Sequence, residues 1–187
     1  MTVSQQASLY PPDLFESTAE LPGLTLDRVW WAVYTKSRQE KVFSQYLLAN
    51  QIPHYLPLVQ KTCLSGGRKF SACVPLFPGY VFMLGSEQER IYSLTSNRVS
   101  RILPVHDPLR LRAELEQLFR LIVSGAPLTV EQRLAPGNRV RIRRGALAGL
   151  EGTVLVRRGK TRLIVSITFL QQGASVEVDD FNLEPID

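Results

Sequence analysis

The chain has 187 residues, 44% of them hydrophobic and 21% charged, which is enough to fill one ordinary core and a second small one and excludes a disordered polar chain. Its formal charge of +5 leans toward an acidic partner such as nucleic acid. No apolar run approaches the roughly 20 residues that a membrane span needs, and the first residues lack a charged-then-apolar leader, so the expectation is a cytoplasmic protein without membrane association.

Residues 1–28 mix Ser, Gln, Pro and Glu with isolated Leu and Phe, carry neither the strand nor the helix period, and read as a flexible extension. From Val29 the run Trp30-Trp31-Ala32-Val33-Tyr34-Thr35 is aromatic and β-branched, which suits a strand in mid-sheet. Ser37-Arg38-Gln39-Glu40 has the spacing of a capping box, and Val42, Phe43, Tyr46 and Leu47 recur at helical spacing to about Asn50. A second strand begins at His54. Next comes a hairpin with Ser65-Gly66-Gly67-Arg68 at its tip; a two-residue turn there puts Cys63 opposite Phe70 and Cys73 opposite Gln60, out of register for a disulfide. With only His54 and His106 as further soft ligands, no metal site is expected.

Pro75 to Leu84 enters a third strand through a Pro78-Gly79 kink, and Ser86-Glu87-Gln88-Glu89 is a second capping box that opens a helix running to about Asn97. Val99 to Val105 makes a fourth strand. Asp107-Pro108 starts a helix with Leu111, Leu115, Leu118 and Ile122 as its apolar stripe, which Gly125 stops. Residues 125–134 read as a linker. Beyond it, Val140 to Arg144, Thr153 to Arg158, Thr161 to Ile167 and Ser175 to Asp179 alternate as strands of one meander, with the three glycines of Gly145 to Gly152 marking tight reversals.

Four features in order resemble the NusG family of transcription elongation factors, which join an NGN domain to a KOW domain: Trp30-Trp31, the run Phe77 to Phe82, Arg98-Val99, and Gly145 to Gly152 together with Ser175 to Val178. The resemblance covers nearly everything from Trp30 to Ile186. It implies an α+β protein, with an NGN-like α/β sandwich at 29–124 followed by a small SH3-like β-barrel, the KOW domain, at 135–187. It also implies a monomer that works by binding, without a cofactor. In the family the NGN domain docks on the clamp helices of the largest catalytic RNA polymerase subunit through an apolar depression, which by position maps to Tyr34, Phe77, Pro78, Phe82 and Ile102. Proline beside aromatics at a strand edge suits burial against a partner helix. Strand alternation sends about half of such side chains to each face, so a core role for Phe77 and Phe82 stands beside the interface role.

Lys36 and Arg98 occupy positions that in specialised RfaH-like paralogs lie toward nucleic acid, here non-template DNA or nascent RNA; Arg68 and Lys69 at the hairpin tip extend that expectation. The resemblance implies a second partner for the KOW domain, contacted by Leu147, Phe169 and Leu170. The loop Phe169-Leu170-Gln171-Gln172 departs from that of the general factor, which disfavours termination factor Rho more than ribosomal protein S10 and points to an antiterminator dedicated to particular operons. Two alternatives stay open: the general NusG factor, and a ribosome-associated RNA-binding KOW protein resting on Arg139, Arg141, Arg143, Arg144, Arg157, Arg158, Lys160 and Arg162. An enzyme is disfavoured, because paired carboxylates such as Glu87 with Glu89 or Asp179 with Asp180 read as capping or solvated groups, and the glycine run lacks the Lys-Ser/Thr pair of a phosphate loop.

Overall fold

The computed structural model describes residues 8–15, 27–65, 68–131, 137–157, 160–179 and 182–186. The chain divides into two compact units, Met1–Pro108 and Leu109–Asp187. Helices and antiparallel sheets together give the expected α+β class, and no helix among the described residues is long and apolar enough to cross a membrane.

In the first unit β1 (Leu9–Tyr10), β2 (Val29–Thr35), β3 (His54–Tyr55), β6 (Tyr80–Gly85) and β7 (Val99–Pro104) form one sheet in the order β1-β3-β6-β2-β7. The remaining strands, β4 (Leu58–Ser65) and β5 (Arg68–Pro75), pair as a separate hairpin. Its register sets Ser65 opposite Arg68, Cys63 opposite Phe70 and Gln60 opposite Cys73, as the two-residue turn requires, and Cys73 is free.

Register in the five-stranded sheet assigns its two faces. Val33 lies opposite Val81 and Ile102, and Trp31 opposite Met83, so these side chains share one face. Helix α1 (Glu40–Ala49) covers that face, packing Phe43 and Leu47 with Val33, Val81 and Met83, and Ile102 borders the cluster. Trp30, Ala32, Tyr34, Tyr80 and Phe82 alternate to the other face. There Phe82 meets Phe77 edge-on at 6.2 Å, and Phe15 lies edge-on to Tyr55 at 5.3 Å while stacking on Trp30 at 6.3 Å. Burial raises the Tyr55 hydroxyl far above the usual phenol range.

Residues 8–15 differ from the flexible extension expected for 1–28: Leu9 pairs with Tyr55 in the sheet, and Leu14 and Phe15 are 2% and 6% exposed. The rest of that extension, 1–7 and 16–26, lies outside the described residues. The segment folds because the aromatic face opposite α1 needs a cover, a nonlocal demand that leaves no period in the sequence.

The two capping boxes part ways. Ser86 accepts from the Glu89 amide and Glu89 from the Ser86 amide at the start of α2 (Glu87–Leu94), as expected, and Arg28 adds a salt bridge to Glu89. At α1 the box is absent: the helix begins at Glu40 after Gln39, with no side-chain cap. Glu40 instead turns its carboxylate inward to the Gly79 amide, a stronger demand than a solvent-facing cap.

In the second unit α3 (Pro108–Val123) buries Leu111, Leu115, Leu118 and Leu121, the last in place of the expected Ile122. Six strands, β8 (Leu128–Glu131), β9 (Arg139–Ile142), β10 (Glu151–Arg157), β11 (Lys160–Ile167), β12 (Gln172–Glu177) and β13 (Leu183–Pro185), form one antiparallel sheet in the order β13-β9-β10-β11-β12-β8. β8 lies within the stretch expected as linker, of which 132–134 fall outside the described residues. Its anchors are nonlocal: Ser175 Oγ donates to Glu131 at 2.7 Å, and Arg162 donates to Thr129 at 2.8 Å.

The glycine run is also corrected. Gly145 and Gly149 turn the chain with φ of 92° and 81°, but Gly152 sits inside β10, where an added Cβ would overlap the Ile164 carbonyl of β11. That glycine is required by close strand approach and not by a reversal.

Candidate partner-binding site

At the end of β2 the aromatic face is less deeply buried among the described residues. Tyr34 and Tyr80, paired across β2 and β6, are half-buried and meet edge-on at 5.1 Å. The exposed Arg101, opposite Tyr34 on β7, lays its guanidinium 5.1 Å from the centre of the Tyr34 ring. Beside them Phe77-Pro78-Gly79-Tyr80 turns tightly: Tyr80 N donates to Phe77 O at 3.1 Å and Gly79 has φ of 86°, the signature of a type II turn with proline at its second position. This turn leaves Pro78 exposed.

Of the five residues expected to contact polymerase, Tyr34 and Pro78 are therefore at the surface. Phe77 and Phe82 are core residues, 1% and 0% exposed, which removes them from any contact surface of the fold as it stands. Their edge-on packing fills the aromatic face, and no partner atom reaches them without unfolding that layer. Ile102 is half-buried and lies on the α1 face, across the sheet from Tyr34, because its register partner is Val33. The sequence reading missed Tyr80 and Arg101; period-2 alternation counted from Tyr34, combined with the strand register, is the signal that finds them.

Two of the four expected nucleic-acid contacts, Lys36 and Arg98, meet just beyond the end of β2. Lys36 N donates to Arg98 O at 2.8 Å, which brings the two residues together at the strand end. Lys36 Nζ donates to Asn97 Oδ1 at 2.7 Å and Arg98 Nη1 to Gln39 Oε1 at 2.8 Å. Both cations are exposed and both of these partners are neutral amides, so the bonds orient the positive charge without cancelling it. Lys69 is exposed on the separate hairpin, while the Arg68 side chain and Gly66-Gly67 lie outside what is described.

The second unit treats its cations differently. Arg141 stands directly opposite Glu151 on one side and Glu184 on the other, Arg139 also approaches Glu151 at 3.7 Å, and Arg143 pairs with Glu184 at 3.2 Å. The Glu151 carboxylate hydrogen-bonds Arg141 and holds its guanidinium pKa above the usual value. Lys160 bonds Glu177, and Arg162 bonds Ser175 and Thr129. Much of the arginine-rich strand surface is thus internally neutralised or engaged; Arg144 is exposed, and Arg158 lies outside the described residues.

Strand order puts the β9–β10 and β11–β12 connections at the same end of that sheet, which brings Leu147 and the Phe169-Leu170 turn to one end. Leu147 and Leu170 are half-buried and Phe169 is 37% exposed. Helix α3 reaches both connections: Glu114 accepts from Thr168 N at 2.9 Å, and Arg120 donates to Ala148 O at 2.8 Å.

Residues 28–120 match the family model NusG, described as transcription termination factor nusG. The match spans Tyr34, Lys36, Pro78, Tyr80, Arg98 and Arg101, and it supports a transcription elongation or termination factor of the NusG family. No curated protein matches the chain at a significant level.

Proposed function

We propose that the chain is a cytoplasmic NusG-family elongation factor that acts by binding, not by catalysis. Its first unit is an NGN domain that docks on the clamp helices of the largest RNA polymerase subunit. The observation that carries this reading is the Tyr34–Tyr80–Pro78 surface, half-buried or exposed among the described residues at the end of an otherwise packed aromatic face, inside the residues that match the family. Such a rigid apolar corner gains from burial against a helix, and Arg101 adds a cation at its rim. Lys36 and Arg98 approach the non-template strand, supported by charges that their amide partners leave whole.

The second unit serves as a KOW domain that recruits a further protein through Leu147, Phe169 and Leu170, ribosomal protein S10 in preference to Rho. The polymerase contact suppresses pausing and termination, and the departure at Gln171-Gln172 suits dedicated operons. The rival RNA-binding reading loses ground because Arg139, Arg141, Arg143 and Lys160 already face glutamates. Transcription in vitro by bacterial RNA polymerase through a pause site tests the proposal. The protein shortens the pause and Tyr34→Ala abolishes the effect; a pause lifetime unchanged at saturating protein contradicts it.

A further inference from the structure

The Pro78 corner is set by a single residue, Gly79, which is held at both its amide and its carbonyl. Glu40, in the first turn of α1 and 8% exposed, accepts the Gly79 N–H on Oε1 at 2.7 Å. From the opposite side, the Gly79 carbonyl accepts from Thr35 N at 2.7 Å and Thr35 Oγ1 at 3.3 Å. The Tyr34 ring closes over the same residue, so that a Cβ on Gly79 would lie 2.7 Å from Tyr34 Cε2. The two peptides that flank Gly79 therefore fix the height of Pro78, the seat of the Tyr34 ring and the start of β6 at Tyr80.

A buried carboxylate spent on one amide is a costly way to satisfy a donor, and the helix N-terminus behind Glu40 offsets part of the desolvation. The geometry points to Glu40 as a positioning residue for the polymerase contact: it touches no partner, and it holds the turn that presents Tyr34 and Pro78. This inference rests on the proposal that the Tyr34–Pro78 surface binds the clamp helices. Without the carboxylate the Gly79 amide is left unsatisfied in a buried place, and the turn moves to find water.

The test titrates the isolated clamp-helix coiled coil of the largest RNA polymerase subunit into the full-length chain and into Glu40→Gln, Glu40→Ala and Tyr34→Ala, with hydrogen exchange of the Gly79 amide followed in parallel. Glu40→Gln keeps an acceptor oxygen and binds like the parent. Glu40→Ala loses about tenfold in affinity, the worth of one hydrogen bond to a charged acceptor, and its Gly79 amide exchanges faster. If Glu40→Ala does not fold, Thr35→Val, which removes one donor to the Gly79 carbonyl, gives a smaller loss of the same kind. Weakened Tyr34→Ala with unchanged Glu40→Ala, or with unchanged Thr35→Val where Glu40→Ala does not fold, overturns the positioning role alone. Equal losses in Glu40→Gln and Glu40→Ala overturn it too. Unchanged binding in Tyr34→Ala removes the docking proposal on which it rests.

Discussion

Phe77→Ala separates a core residue from a contact residue. Phe77 is 1% exposed and packs edge-on against Phe82 at 6.2 Å with the rings 88° apart. Truncating a buried phenylalanine removes its transfer free energy and leaves a cavity, about 3–5 kcal/mol together, of which the lost aromatic pair accounts for about 0.5–1.5 kcal/mol. That is a large fraction of the roughly 5–15 kcal/mol that stabilises a domain. Tyr34 is half-buried, so Tyr34→Ala costs about 1 kcal/mol or somewhat more in stability, scaled down from full burial, and takes its larger effect in polymerase affinity. The only tryptophans, Trp30 and Trp31, both lie in β2, so urea unfolding followed by tryptophan emission reports on the first unit alone. A Phe77→Ala unfolding free energy within about 0.5 kcal/mol of the parent, accompanied by lost polymerase binding, refutes the assignment of Phe77 to the core.

Further outcomes follow from other parts of the fold. Gly152→Ala forces β10 away from the Ile164 carbonyl and costs at least about 2 kcal/mol in unfolding of the second unit, read by far-ultraviolet circular dichroism on melting; an unchanged melt contradicts the close approach. Burial alone lifts the Glu89 pKa, but the Arg28 hydrogen bond, the Ser86 amide and the Arg28 charge outweigh it and hold the carboxyl below the usual range. Its contribution is therefore present above the normal glutamate pKa and lost as pH falls through the lowered value; Ser86→Ala, costing about 1 kcal/mol at neutral pH, and Glu89→Gln, which flattens the acid limb of the stability curve, check this. Deleting residues 1–16 removes Leu9, Leu14 and Phe15 from the aromatic face. The lost burial, about 1.5–3 kcal/mol per side chain, uncovers the Trp30 and Tyr55 rings, so the midpoint falls and Trp30 emission shifts to the red; an unchanged emission maximum contradicts the stacking of Phe15 on Trp30.

Much of the architecture is legible in the sequence because it is local. The aromatic run of β2, the Ser86–Glu89 box and the leucine stripe of α3 each carry their period or their cap within a few residues. What escapes is set across the chain. The Ser37–Glu40 box is lost because the helix starts at Glu40 itself and the Glu40 carboxylate goes to the Gly79 amide, 39 positions away. The segment 8–15 joins the sheet only because Trp30 and Tyr55 need a cover. Of the candidate site, the half-buried Tyr34 and the exposed Pro78 keep side chains within reach of a partner, whereas burial of Phe77 and Phe82 and the opposite facing of Ile102 depend on strand register, which periodicity alone does not supply.

The docking claim is met most directly by replacing the exposed Pro78 with a photo-reactive side chain and irradiating the protein bound to a bacterial transcription elongation complex. The account predicts an adduct on the clamp helices of the largest subunit, lost when Tyr34→Ala is added. An adduct only on nucleic acid or ribosomal protein, or none at saturating protein, contradicts it.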